Sequence, residues 1–301
     1  MNDRLFRGLT LGCALTVLGV TVLIAAQLFL HSRLSQRTFG VSFLWSTTWD
    51  PVAGRFGALP FLYGTLVTST LALLLAVPLG VGTAVFLSEL APPRLSEWLA
   101  FLVELLAAIP SVIYGLVGVF VVVPWVRTNV EPLLSHTLGF LPLFQGAPYG
   151  VGFLTAGLIL AVMVVPFIAS VSREVLLTVP RSQREAALAL GATHWETLRM
   201  AILPYARSGI FAAIMLGLAR ALGETMAVTM VIGNRPQIAA SLFEPGYTMA
   251  AVLANEFTEA TANLHLHALV EIGLVLFCVT VLVNGLARLL LARLAIQSGR
   301  S

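Results

Sequence analysis

Six stretches of this chain each run for about twenty residues or more with scarcely a charge, the length a helix needs to cross a hydrocarbon layer about 30 Å thick. They extend approximately from Thr10 to Leu30, Phe61 to Leu87, Leu99 to Val123, Val151 to Val171, Ala206 to Gly233 and Ala268 to Ala292. Inside such a layer no water reaches the backbone amides, so each stretch must satisfy its own hydrogen bonds as a helix. The expectation is an all-α integral membrane protein with six transmembrane helices. Composition agrees, since 58% of the 301 residues are apolar and only 10% are charged, where a soluble domain carries about 25% charged residues. That balance excludes soluble enzymes and nucleic-acid-binding proteins.

The first stretch follows Arg4 and Arg7, as a signal peptide would, but its apolar run is longer than a signal core and no small-x-small cleavage site follows. It is read as a membrane anchor. Basic residues in short loops are retained in the cytoplasm. With the N-terminus inside, the inner segments hold Arg4, Arg7, Arg94, Arg173, Arg181, Arg184, Arg199, Arg207, Arg288, Arg293 and Arg300, and the outer ones hold Arg33, Arg37, Arg55, Arg127 and Arg235. The bias predicts both termini inside. The outer segments carry Trp45, Trp49, Pro51, Trp125, Pro142 and Tyr149, which suit an interfacial belt.

Several chemistries lack their residues. All 17 basic residues are Arg, so neither a P-loop nor a Schiff-base lysine is available. His31, His136, His194, His265 and His267 form no H-E-x-x-H site, and Asp3 and Asp50 are the only aspartates, neither deep in a span. His265 and His267 read as interfacial polar residues. Cys13 and Cys278 lie in apolar runs and read as packing residues rather than a disulfide or a metal site.

The longest inner segment, residues 172–205, is punctuated as two short helices. Ser182 with Glu185 reads as a capping box opening the first, and Gly191 supplies its left-handed stop. Thr193 with Glu196 opens the second, and Pro180 and Pro204 mark the ends of the unit. A helix this short is marginal alone in water, so something must hold it. Either Arg181 and Arg184 turn it toward acidic groups of a partner protein, or it lies on lipid headgroups.

Arg220 and Glu224 stand in the middle of the fifth apolar run. A mid-membrane arginine costs about 2.5–3.5 kcal/mol, so it must face protein or water. Their i,i+4 spacing predicts a pair on one helix face, beside a ridge of small residues, Ala213, Gly217, Ala221 and Thr225, that permits close helix contact. One reading is a buried ion pair that fixes packing. The other is an anion pathway, in which the arginine's planar fork receives a tetrahedral oxyanion and Glu224 holds the guanidinium when the path is empty.

The run Glu185-Ala186-Ala187, then Gly191, then Leu203-Pro204 resembles the EAA signature of ABC importer permeases; only Ala201 departs, where that pattern usually has Ile. Within these permeases, Gly217 through Asn234, Ile109-Pro110-Ser111-Val112-Ile113-Tyr114-Gly115-Leu116, Phe86-Leu87-Ser88-Glu89-Leu90-Ala91-Pro92 and Pro245-Gly246-Tyr247-Thr248-Met249-Ala250 are similar to PstC-type subunits of phosphate importers. The resemblance is nearly continuous from about Phe56 to the C-terminus. It implies a type I, MetI-like permease core over 56–301 with its EAA loop at about 172–205, preceded over 1–55 by a cytoplasmic tail, the first helix and an outer loop. It further implies a bacterial cytoplasmic-membrane subunit, no catalyst and no cofactor or metal of its own. Its implied partners are a PstA-like sister permease, a PstB-like ATPase dimer and a PstS-like external phosphate-binding protein. Arg220 and Glu224 would then lie on the phosphate path, and Glu185, Ala186, Ala187, Gly191, Leu203 and Pro204 would couple to the ATPase. Sulfate or molybdate as cargo, and a proton-coupled secondary transporter using Glu224, are the alternatives.

Overall fold

The structure, a computed structural model, describes the backbone of residues 3–298 and the side-chain surroundings of residues 6–289. The side chains of Arg4, Arg293 and Arg300, counted above among the inner arginines, lie outside that range. Among the described residues there is no β-strand, only an isolated bridge between Asp50 and Arg55. Six helices there are long and apolar enough to cross a membrane: Phe6–His31, Leu59–Leu90, Ser111–Leu138, Phe153–Leu177, His194–Leu222 and Asn263–Leu289.

The fourth span is the axis of the bundle. Its residues Phe153, Ile159, Leu160, Met163, Val164 and Ile168 are buried with Ala72 and Ala76 of the second span, with Ala221 of the fifth span and with Val228 and Val231 of the short helix after it. Small residues let these helices approach, as lipid tails provide no hydrophobic drive for helices to associate. A Cβ on Gly80 would stand 2.9 Å from Ile168 Cγ2.

Two of the six expected spans are interrupted in the structure, the others shifting only at their ends. The third, expected from Leu99 to Val123, was expected to run through Pro110. Instead a helix over Pro93–Ala108 ends at Ile109, whose φ of −63° and ψ of 131° are extended, and the span starts at Ser111. Proline ring atoms crowd the preceding residue out of the helical region, which makes a break rather than a bend. The fifth was expected to reach Gly233 but stops at Leu222; a separate half-helix follows over Met226–Val231.

The first span is exposed along its length and meets the last one near Leu28 and Gly273. The segment after it is fastened more firmly. Trp49 packs edge-on against Phe56 and Phe61, each at 4.8 Å between ring centres, and its Nε1 donates to Glu256 Oε2 at 2.9 Å. The same carboxylate oxygen lies 3.1 Å from His265 Nε2, and the His265 ring stacks on Phe56. His265 is therefore buried within the protein, where aromatic faces and one carboxylate meet its polar and apolar needs together. His267 faces elsewhere, onto the His31 carbonyl. Cys13 and Cys278 are free thiols on the outer surfaces of their helices, not packing residues.

Candidate functional site

The two helix breaks meet. Gly115, in the first turns of the third span, lies against the half-helix, where an added Cβ would fall 2.5 Å from Met230 Sδ and 3.2 Å from Ala227 Cα. Tyr114 beside it donates its hydroxyl to the Leu106 carbonyl at 2.7 Å, stapling the end of the preceding helix across the Pro110 break. Discontinuous helices of this kind place polar backbone at membrane depth, which is tolerated only inside protein or beside a water-filled cavity.

Arg220 sits in the last turn of the fifth span, where the free carbonyls of a helix C-terminus favour a cation. Its guanidinium lies over the Phe167 ring at 5.7 Å from the centroid. The expected pairing with Glu224 is absent, since no ion pair joins the two among the described residues. An i,i+4 pair needs an unbroken helix, and this one has ended at Leu222. Glu224 instead accepts from the Ala227 amide through Oε1 at 3.2 Å, occupying an N–H that the half-helix cannot satisfy internally. Thr225 accordingly falls off the ridge of small residues. The rest of that ridge holds, with Ala213, Gly217 and Ala221 buried and a Cβ on Gly217 reaching within 2.9 Å of Ile168 Cγ1.

Phe167, beneath Arg220, and Tyr114, at the Pro110 break, were not assigned to this site from the sequence. The signal for Tyr114 was present in the proline four residues before it. Phe167 gives none, as an aromatic residue in an apolar span looks like any other packing residue.

The inner loop forms its first helix over Arg181–Ala189. Pro180 precedes it and accepts from the Gln183 amide at 3.1 Å, so the helix begins one residue before Ser182 and the Ser182–Glu185 capping box does not form. Gly191 has a φ of +86°. The bonds from Ala192 N to Ala187 O and from Gly191 N to Leu188 O close the left-handed stop expected there. No atom crowds a Cβ at Gly191, so the constraint is its backbone angle. The second capping box is complete: Thr193 Oγ1 accepts from Glu196 N, and Glu196 Oε2 accepts from Thr193 N at 2.8 Å.

From His194 the helix continues without a stop into the fifth span, so Pro204 does not end it. A wide π-turn over Leu198–Ile202 lies directly before Leu203-Pro204, and it loosens the hydrogen-bond ladder where the proline has no N–H to contribute. Leu203 packs against the buried apolar cluster that includes Leu176, Val179 and Ala206. Glu185 and Ala186 are exposed and Ala187 is half-buried. Leu188, Leu190, Trp195 and Met200 add apolar surface around them. Arg184 turns inward, onto Glu89 of the same chain, rather than out toward a partner or lipid.

Known proteins resemble this chain in sequence and in fold. A phosphate transport system permease protein PstC of Mesorhizobium japonicum is 47% identical over 99% of this chain and 93% of its own length. Its namesake in Haemophilus influenzae is 46% identical over 99% and 96%. Among solved structures, a bacterial ABC transporter involved in the import of the acidic polysaccharide alginate shares the fold, with a TM-score of 0.59 at 16% identity over 97% of this chain and 99% of that one. The MetNI methionine ABC transporter, in an inward-facing conformation, follows at 0.53 and 19% over 82% and 96%. The binding-protein-dependent transport system inner membrane component family matches residues 76–296, and this chain, with the helical fold of the ABC transporter permeases, belongs to that family.

Proposed function

We propose that this chain is the transmembrane permease subunit of an ATP-driven, binding-protein-dependent phosphate importer, and that it forms the translocation path together with a sister permease. The observation that carries the reading is Arg220: a guanidinium in the last turn before a helix break, lying over an aromatic face and, among the described residues, with no carboxylate paired to it. A guanidinium never deprotonates and matches a phosphate with paired N–H donors. The near-half identity to PstC proteins along the whole chain supports phosphate as the cargo.

In this reading the chain lies in a bacterial cytoplasmic membrane with both ends inside. A PstA-like permease, a PstB-like ATPase dimer and a PstS-like external binding protein complete the machine. The helix with Glu185, Ala186, Ala187 and its stop at Gly191 docks on the ATPase, framed by the apolar side chains of Leu188 and Leu190. Its continuation through Leu203 and Pro204 carries the motion into the fifth span, whose last turn holds Arg220. ATP hydrolysis belongs to the partner, and coupling is mechanical.

Radiolabelled phosphate uptake into proteoliposomes holding the assembled complex, with the binding protein outside and ATP inside, tests the reading. Uptake that needs ATP and resists excess sulfate and molybdate is expected. Uptake of sulfate or molybdate in preference would reassign the cargo, and uptake driven by a proton gradient without ATP would overturn the coupling.

A further inference from the structure

We propose that Glu89 is a positioning residue for ATP coupling, clamping the loop helix to the inner end of the second span through Arg184. The inference rests on the reading of the loop as the transmission element. None of the residues of Arg181–Ala189 is fully buried, so packing alone does not fasten this helix to the bundle. A helix that is pushed by a partner but held only by its covalent ends would tilt without moving anything else.

Arg184 supplies the missing fastening. Its Nη1 donates to the Val179 carbonyl at 3.1 Å, and its Nη2 donates to the Leu176 carbonyl at 3.1 Å and to Glu89 Oε1 at 2.6 Å. Leu176 is in the last turn of the fourth span and Val179 lies two residues past its end at Leu177, and carbonyls at a helix C-terminus favour a cation. Glu89 belongs to the π-turn Phe86–Leu90 that closes the second span. In that turn Ser96 Oγ also donates to the Leu87 carbonyl at 2.6 Å, tying in the next helix.

One guanidinium thus joins the loop helix to spans two and four. The pair is largely withdrawn from solvent, with side-chain exposures of 24% and 14%, so water competes with it less than at an open surface. Beneath it Ala84, Leu176, Val179, Leu198 and Ile202 form one apolar cluster across spans two, four and five. Displacement of the loop helix is therefore shared among these spans only while the clamp is closed.

The test uses the full reconstituted complex and reads phosphate imported per ATP hydrolysed, normalised to assembled complex. Glu89→Ala is expected to lower that ratio about tenfold, the scale on which one charge-assisted hydrogen bond acts. Glu89→Gln, which keeps an acceptor oxygen, should recover part of the loss. Adding Glu89→Ala to Arg184→Ala should cost nothing further, since both act through one contact. An unchanged ratio in Glu89→Ala, or losses that multiply in the double variant, overturns the clamp. If Glu89→Ala does not assemble, the isosteric Glu89→Gln decides: an unchanged ratio there has the same meaning. Gly191→Val, measured in parallel, separates the two ideas. If it too leaves the ratio intact, the loop is not the transmission element; if it alone collapses the ratio, only the clamp falls.

Discussion

The Arg220 guanidinium lies over the Phe167 ring, its central carbon 5.7 Å from the ring centre, while the carboxylate four residues along the chain caps another helix. A buried ion pair would be self-sufficient and could be replaced by apolar residues at little cost. A guanidinium held by a ring face keeps its N–H groups for a ligand. Arg220→Met is therefore expected to reduce phosphate uptake about a hundredfold, the loss of two charge-assisted hydrogen bonds, whether or not Glu224→Gln accompanies it. Arg220→Lys, a point charge without the fork, should fall between. Near-normal uptake in the Arg220→Met, Glu224→Gln double variant, at equal assembly, would make Arg220 a structural residue.

Glu224 is expected to behave as a cap. Glu224→Gln retains a carbonyl oxygen for the Ala227 amide and should keep uptake within about twofold of wild type, whereas Glu224→Ala should destabilise the half-helix by about 1 kcal/mol. Thermal unfolding of the detergent-solubilised complex reads the second effect. If Glu224→Gln stops uptake in a complex that still assembles, the carboxylate charge or proton is needed, and the proton-coupled reading regains ground.

Gly191 stands at a φ of +86° with open space around it. A side chain there is opposed by backbone strain of about 1–2 kcal/mol and not by a clash. Gly191→Val should leave the protein in the membrane but impair ATP-driven uptake, while Gly191→Asn, which tolerates the left-handed region, should be much milder. Glu185→Lys reverses an exposed charge on the same helix and is expected to uncouple as well. Normal ATP-dependent uptake by both Gly191→Val and Glu185→Lys would remove the loop from the mechanism.

Both ends are expected in the cytoplasm. Ser182 and Thr258 are exposed positions in connections expected on opposite sides. In a chain lacking Cys13 and Cys278, a membrane-impermeant thiol reagent applied to intact cells should label Thr258→Cys and spare Ser182→Cys. Labelling of the Ser182 position from outside would invert the topology.

Membrane crossing was legible in the chain because the cost of unsatisfied backbone in lipid is local: any apolar stretch of sufficient length must be helical whatever surrounds it. Local rules also determined the Gly191 stop and the Thr193–Glu196 box, whose bonds run between residues three to five apart. Tertiary structure decided the rest. The i,i+4 rule placed Arg220 and Glu224 together on the premise of an unbroken helix; the half-helix, seated on Gly115 and Gly118 of the third span, ends that helix at Leu222. Glu89 and Arg184 stand 95 residues apart, and His265 is buried by Trp49 and Phe56 from the other end of the chain. Such contacts depend on how spans two, four and six pack, a long-range relation to which no sequence period corresponds.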